Sequence, residues 1–418
     1  MKISKIRARE IFDSRARPTL FCEVELTNGV KVGASVPSGA SKGEKEAFEL
    51  RDKGEIRFGG KGVTKAVHII ENTIAPVLLG QEPDVVVVDN LMQQMDSSAD
   101  KTIFGANTML AVSMAVCKAQ AKIHSMELFE LIAELCSAET VSLPFPLINI
   151  INGGAHSNNK IPIQEFLLAP MGFQNFRSAF EASIDVFYAL KEILQKKNKS
   201  VATGDEGGFS PFFSDEQEPF DYIMEALHSV RMQDNFSLAI DVAAGQLYDQ
   251  EKNMYNWSND QKITSDELIE KYKTWSLSYP LFSVEDGCSE YDMQGWKTMA
   301  YLLGDSLQIV GDDIFATHKN AIERGIKDGI ANACIIKPNQ IGTISETLET
   351  IAFCQQNNVN AIVSHRSGET EDSFIADLAV GVGAGQIKAG GLFHGERMAK
   401  YNRLLQIEDE LLFSSLDF

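Results

Sequence analysis

The sequence is short of positive charge: 38 Lys and Arg stand against 58 Asp and Glu, for a net charge of -20. A duplex-binding surface needs a basic patch, and the summed field here repels polyanions, so no direct nucleic-acid binding is expected and divalent cations are the natural counter-charge. The six cysteines (Cys22, Cys117, Cys136, Cys288, Cys334 and Cys354) show no CxxC spacing and sit mostly in apolar context. That argues against a zinc or disulfide framework and for buried thiols in a reducing compartment. No run approaches the roughly 18 apolar residues of a membrane span, and the first ten residues hold no apolar core of signal-peptide length. A cytoplasmic location is the expectation, with a secondary cell-surface or secreted pool left open.

What is present is enough for two domains. With 418 residues, 44% of them hydrophobic and 23% charged, the chain can bury two sizeable cores. Residues 20–26 alternate apolar and polar, Asn28-Gly29 signals a tight turn, and residues 30–36 resume the extended pattern, which predicts a hairpin. Pro37-Ser-Gly-Ala-Ser-Lys-Gly-Glu-Lys-Glu46 reads either as a surface loop or as a lid. From about residue 62 to residue 124 the pattern is helical, with the Ala- and Met-rich stretch 108–121 expected to be buried. A three-stranded sheet with several helices therefore fills an N-terminal α+β capping domain, residues 1–136. The proline-containing stretch near 137–146 opens a second, catalytic domain, residues 137–418.

In the second part short β-rich runs recur. Residues 147–151 and 161–168 are separated by about ten residues, too few for a helical crossover, so they should pair antiparallel. Six further runs end at Asp241, Glu285, Asp312, Lys337, His365-Arg366 and Lys388. From Glu285 to Lys388 these ends are spaced by 27, 25, 28 and 23 residues, with helical-period segments between them. That is the rhythm of βα units. Eight strands close an α/β fold, a β/α barrel with an irregular start, whose C-terminal strand ends share the face where catalytic residues belong.

An unpaired carboxylate at the end of a buried strand is costly. Singly, Asp241, Glu285 and Asp312 read as helix N-caps or ion-pair partners. Converging on one mouth they would repel one another unless a cation sat between them, and all-oxygen ligation suits Mg²⁺. Lys337, Lys388, Arg366 and His365 supply the opposite charge and could hold an anionic substrate on the metal. Such a mixed site can remove a proton next to a carboxylate. Gly204-Asp-Glu-Gly-Gly208 reads either as a polar turn or as a general acid on a loop whose glycines let backbone approach a ligand. His68, His124 and His228 fall in helical segments and read as ordinary surface or packing residues.

These residues, taken in order, resemble the enolase family over nearly the whole chain. The motifs that carry the resemblance are Pro37-Ser-Gly-Ala-Ser41, Ile151-Asn-Gly-Gly154 with His156, Gln164-Glu165-Phe166, Gly204-Asp-Glu-Gly-Gly208, Asp241-Val-Ala-Ala244, Val284-Glu-Asp286, Gly311-Asp-Asp313, Lys337 with Asn339-Gln-Ile-Gly-Thr343, Ser364-His-Arg-Ser-Gly-Glu-Thr-Glu-Asp372 and Ala399-Lys-Tyr-Asn402. The resemblance implies a lyase: reversible Mg²⁺-dependent dehydration of 2-phosphoglycerate, a small phosphorylated acid, to phosphoenolpyruvate in glycolysis and gluconeogenesis. It further implies two Mg²⁺ per active site, the second arriving with substrate, and a homo-oligomer, dimer or octamer.

Residue by residue, the resemblance makes Lys337 the base at C2 and Glu206 the acid for the leaving C3 hydroxyl. It makes Asp241, Glu285 and Asp312 ligands of the first Mg²⁺ and Ser41 a ligand of the second. Arg366 and Ser367 match the phosphate-binding pair, Lys388 the partner of the substrate carboxylate, and His156, Glu165 and His365 the surroundings of the leaving hydroxyl and closing loops. A lysine acts as a base near neutrality only with a lowered pKa, and two metal ions with Lys388 nearby are expected to lower that of Lys337. Five departures from the usual pattern stand out: Lys42 in place of Thr, Ala16-Arg17 in place of Gly-Asn, Gly245-Gln246 in place of Ser-Glu, Ala389 in place of Thr or Ser, and Leu392-Phe393-His394 in place of a commonly more polar stretch. The alternatives they leave are a divergent paralogue acting on another 2-hydroxy acid, or a binding protein that has lost turnover.

Overall fold

The computed structural model describes residues 1–39, 43–138, 141–159, 161–258 and 261–414, without the side chain of Ser414. Ser41 and Lys42 lie outside the described residues. Strands β1 (Ile3–Phe12), β2 (Pro18–Leu26) and β3 (Lys31–Ser35) form an antiparallel sheet in that order. The expected hairpin is β2–β3, closed at Asn28-Gly29, where Gly29 takes a left-handed φ of 85°. The remaining strand of the expected three is β1, formed by the chain's opening residues. Leu20, Cys22, Val24 and Leu26 turn one face of β2 inward. The helix Ala106–His124 packs on β2 and β3 and is buried from Ala106 to Cys117 on every side. That explains its lack of a polar stripe, since a helix that is apolar all round belongs in a core.

The second sheet is a closed barrel. Strands β4 (Phe145–Asn152), β5 (Glu165–Ala169) and β6 (Ser237–Asp241) open it, and a small sheet of β7 (Tyr248–Asp249), β8 (Met254–Asn256) and β9 (Lys262–Ile263) intervenes. The barrel then continues through β10 (Leu281–Glu285), β11 (Gln308–Gly311), β12 (Ala333–Ile336), β13 (Asn360–Ser364) and β14 (Gln386–Gly390), and β14 returns to β4. Pairing is antiparallel at β4–β5 and β5–β6 and parallel elsewhere, as the short early connection requires.

Side chains alternate in and out along each strand, and this period sorts the barrel interior into layers. At the base, Gln308 bonds Ser283, Gln386 and Asn360 at 2.7–3.2 Å. Above it lies an apolar layer containing Leu147, Leu167, Ala239, Val310, Ala333, Ile335 and Ile362. Two residues further along these strands come Asn149, Glu165, Asp241, Asp312, Lys337 and Ser364. The outward residues, such as Ile240, Cys334, Ile336 and Val363, join the larger core under the helices.

One buried carboxylate joins the two sheets' territories. Asp89, fully buried in the helix Val85–Met95, accepts from Ser113 Oγ at 3.0 Å and from the backbone N–H and hydroxyl of Ser345 at 2.9 and 2.8 Å. It thereby caps the helix Ile344–Gln356, whose first turn leaves N–H groups free. No helix among the described residues is long and apolar enough to cross a membrane.

Burial pushes the Asp89 carboxyl up to about 6. A carboxyl raised on folding favours the folded state while protonated and loses that contribution as pH rises from the ordinary carboxylate range through its folded value. Replacing Asp89 by Asn keeps an acceptor but cannot ionise. The stability of Asp89→Asn relative to the parent should therefore rise by on the order of 3 kcal/mol between pH 4 and pH 6.5, read from urea midpoints. A difference that stays flat with pH would show that Asp89 is not a strained buried carboxylate.

Candidate active site

The mouth of the barrel is a cleft of about 530 Å³ lined almost wholly by polar and charged side chains. Asp241 and Glu285 end β6 and β10, and Asp312 and Lys337 follow β11 and β12 directly. Glu165 opens β5. Because β5 runs against its two neighbours, its first residue is the one that reaches the mouth. Lys388 lies within β14, and His365, Arg366 and Ser367 leave β13. His156 ends a single 3-10 turn, Gly154–His156, and Glu206 projects from the Gly204–Gly208 loop; both side chains are buried.

The two readings of that loop are both realised. It is a turn, closed by Gly204 N–H donating to Gly208 O at 2.8 Å, and it presents the Glu206 carboxylate inward. Two of its glycines are required by packing within the protein. A Cβ on Gly208 would sit 2.4 Å from Asn149 Oδ1, and one on Gly204 would sit 2.6 Å from His156 O. The close approach that these two glycines allow is to β4 and the His156 turn.

Lys388 is the hub of the mouth. Its Nζ lies 2.8 Å from Asp241 Oδ2, 2.9 Å from Glu285 Oε2 and 3.0 Å from Glu165 Oε1, with all four side chains buried. One ammonium does not balance three carboxylates in so dry a place. Burial, and then the charge of Asp241, pushes Glu285 up to about 8; burial, and then Glu206, pushes Glu165 well above its usual range. Glu285 Oε1 is buried with no hydrogen-bond partner among the described residues.

Asp312 accepts from Lys337 Nζ and, at 3.1 Å, from Gln340 Nε2. Burial works most strongly to lower the pKa of Lys337, and Arg366 and Lys388 push the same way, but Asp312, with Glu285 behind it, holds it above the usual lysine range. The expected lowering therefore does not hold in the protein by itself. Lys388 does push downward as expected, and the adjacent carboxylate overrides it.

Glu206 lies between two imidazoles, 3.6 Å from His156 Nε2 and 3.9 Å from His365 Nε2. The guanidinium of Arg397 has only protons to give and donates to His365 Nδ1, so that nitrogen carries none. Burial first, with Arg397 next, holds His365 well below the usual histidine range. Burial works to raise Glu206, yet His156, Arg397 and Lys388 hold it well below the usual carboxylate range. Arg366 is paired at 3.1 Å with Glu46, which comes from the N-terminal segment, and it also donates to Asn339 Oδ1 at 3.2 Å.

All the residues singled out from the sequence thus meet at one mouth, apart from Ser41, which lies outside the described residues. Asp241, Glu285 and Asp312 are near one another but do not present oxygens to a common point, since Lys388 stands between the first two and Lys337 holds the third. Two other sets do so among the described residues, with ligand atoms within 4.8 Å: Asp286 with Asp312 and Asp313, and His156 with Glu165 and Glu206. Asp286 and Asp313 had no assigned role, although each directly follows an assigned carboxylate. Asp286 accepts from the backbone N–H groups of Asp312 and Asp313 at 2.8 and 3.0 Å and fixes their turn. Arg397 and Glu46 were also missed, and no local pattern marks either. His68, His124 and His228 are exposed on helices, as expected.

A closed β/α barrel with buried carboxylates, a lysine paired with an aspartate and an arginine at the rim defines a barrel lyase that acts on a small anionic substrate. The chain belongs to the enolase family. Residues 3–132 match the family's N-terminal domain (Enolase, N-terminal domain) and residues 140–415 its barrel (Enolase, C-terminal TIM barrel domain). The chain is 45% identical over 415 residues to an enolase of a Nitratiruptor species, with 98% of this chain and 97% of that one aligned. It is 44% identical over 414 residues to an enolase of Helicobacter pylori, covering 98% and 96%, and 44% identical over 416 residues to one of Sulfurimonas denitrificans, covering 99% and 98%. It is accordingly a carbon–oxygen lyase with phosphopyruvate hydratase activity, the glycolytic dehydration of 2-phosphoglycerate to phosphoenolpyruvate. Nothing in these likenesses points to another 2-hydroxy acid or to a protein without turnover.

Replacing Lys388 by Met leaves Glu165, Asp241 and Glu285 without their common partner. In metal-free buffer the variant should lose on the order of 3 kcal/mol of stability, read as a lower urea midpoint. A midpoint equal to the parent's would mean that the lysine is not what holds these carboxylates together.

Proposed function

We propose that Lys337 is the base and Glu206 the acid of the dehydration. The observation that carries this reading is their placement: Lys337 follows β12 and Glu206 projects from a loop packed on β4, three strands further round the eight-stranded barrel, and both reach one cleft with Arg366 and Ser367 at its rim. Lys337 takes the proton from C2, the electrons of that C–H bond form the C2–C3 double bond, and the C3–O bond breaks. Glu206 gives the departing hydroxide its proton and water leaves. Arg366 and Ser367 hold the substrate phosphate, and Lys388 pairs with its carboxylate. His156, His365 and Glu165 surround the leaving oxygen.

The donor set fits Mg²⁺: it is all carboxylate, it exceeds the local lysines in charge, and it contains a buried oxygen of Glu285 with no partner among the described residues. Asp241, Glu285 and Asp312 would hold the first ion, and Ser41 would serve the second, which arrives with substrate. Bound there, Mg²⁺ neutralises the negative charge that develops on the substrate carboxylate as C2 loses its proton. Lys337 can act as a base only once Asp312 no longer holds its proton. The reading extends to a division into a capping domain, residues 1–136, and a catalytic domain, residues 137–418, to a cytoplasmic homo-oligomer, and to two Mg²⁺ per site.

Purified protein given 2-phosphoglycerate and Mg²⁺ should develop the ultraviolet absorbance of the enol phosphate and lose it on chelation; no absorbance at high protein concentration rejects the reading. Lys337→Ala should abolish exchange of the C2 proton with solvent deuterium. Glu206→Gln should keep exchange while dehydration falls by about 10²-fold or more. If exchange and dehydration fall together in Glu206→Gln, the acid lies elsewhere.

A further inference from the structure

A second cleft, of about 800 Å³, adjoins the catalytic one and shares Gly39, Glu46 and Arg366 with it. Its other walls bring Arg17, Arg51 and Lys61 together with Glu49, Ser38 and Asn339. The charges do not cancel. Arg366 is paired with Glu46, and Arg51 with Glu49 at 2.7 Å. Arg17 and Lys61 have no side-chain hydrogen bond or ion pair among the described residues, so the cleft carries two unspent positive charges.

Both cations stand on fixed backbone. Arg17 donates its N–H to the buried carboxylate of Asp13 at 2.8 Å, and its carbonyl accepts from Asp13 N–H at 2.9 Å. The carbonyl of Lys61 accepts from Arg51 Nη1 at 2.9 Å, and Arg51 Nη2 also donates to Ser38 Oγ at 2.8 Å. Arg51 is thus committed to building the wall, and the charges of Arg17 and Lys61 are what it leaves on display. In a chain of net charge -20, two cations with no counter-ion among the described residues, at the door of an anion site, are set against the field of the whole molecule.

We propose that this cleft is an entry subsite for phosphate: Arg17 and Lys61 take the phosphate of the incoming phosphorylated acid before it displaces Glu46 from Arg366. This deepens the reading above and rests on it for the destination of the anion. The subsite offsets the long-range repulsion between a polyanionic substrate and an acidic enzyme. Its signature is a rate of capture that salt weakens, since such steering is screened beyond about 10 Å at 0.1 M ionic strength.

The test compares the parent with Arg17→Gln/Lys61→Gln and with Lys2→Gln/Lys5→Gln, which removes the same charge at strand β1. At low ionic strength kcat/KM for 2-phosphoglycerate should fall by about ten-fold or more in the first variant, with the loss in KM rather than kcat, and the gap should close in 0.5 M KCl. The second variant should track the parent. Equal kcat/KM and equal salt slopes in all three overturn the subsite and leave the catalytic reading standing. A parent without turnover rejects the catalytic reading, and calorimetry with inorganic phosphate then decides the subsite: a phosphate site present in the parent and lost in Arg17→Gln/Lys61→Gln supports it, and identical isotherms overturn it.

Discussion

The structure of the mouth follows from a mismatch of charge around Lys388. Barrel closure and the two-residue period of its strands drive Glu165, Asp241, Glu285 and Lys388 into the same layer, just above an apolar one that can solvate none of them. Three carboxylates sharing one ammonium hold together in the ligand-free protein only with some carboxyl groups raised toward neutrality, as at Glu285 and Glu165. A divalent cation relieves that strain directly. The same imbalance that makes the ligand-free mouth costly is what makes it a receptor for metal.

Holding such a site open demands a rigid rim, and the rim is supplied from distant parts of the chain. The segment 364–370 is clamped from below by the helix Gly395–Ser414: Arg397 donates to the carbonyls of Arg366 and Ser367 at 2.6 and 2.8 Å, and Lys400 pairs with Glu369 at 2.9 Å. From above, Ser38 and Gly368 exchange backbone bonds at 2.7 and 2.8 Å, and Arg15 donates to Gly39 O at 2.8 Å. Glu46 completes this frame by seating a carboxylate on Arg366. The N-terminal segment thus holds the Arg366 end of the site in place while occupying it.

The sequence made the barrel legible because six of its eight strands ended in a charged residue and, from Glu285 to Lys388, the ends came at regular intervals. The same strand ends drew attention to Asp241, Glu285, Asp312, Lys337 and Lys388, which the fold brings to one mouth. What stayed hidden depends on contacts that no local pattern encodes. Asp286 looks like a spare carboxylate beside Glu285 and acts by gripping two backbone N–H groups of the next strand's turn. Arg397 sits inside an ordinary helix, and only the fold shows its guanidinium, fully buried, facing His365 and the rim carbonyls. The charge state of Lys337 in the ligand-free protein was hidden as well, because the sum over its neighbours depends on distance. Lys388 is near, but Asp312 is in contact.

That charge state carries a consequence for a reversible reaction. In the ligand-free protein Lys337 is held protonated by Asp312, and Glu206 is held ionised by His156, Arg397 and Lys388. With Lys337 as the C2 group and Glu206 as the C3 group, this pair is already set for hydration, with a proton to give at C2 and a base to receive one from water at C3. Dehydration needs the opposite pair. On the proposed reading, cations on the carboxylates would take Asp312 from Lys337 and favour its neutral form, and substrate anions near Lys388 and Arg366 would work to raise Glu206. On that reading the charges of the ligand-free mouth suit the hydration step, and bound ligands would bring both directions within reach by acting on the two groups in opposite senses.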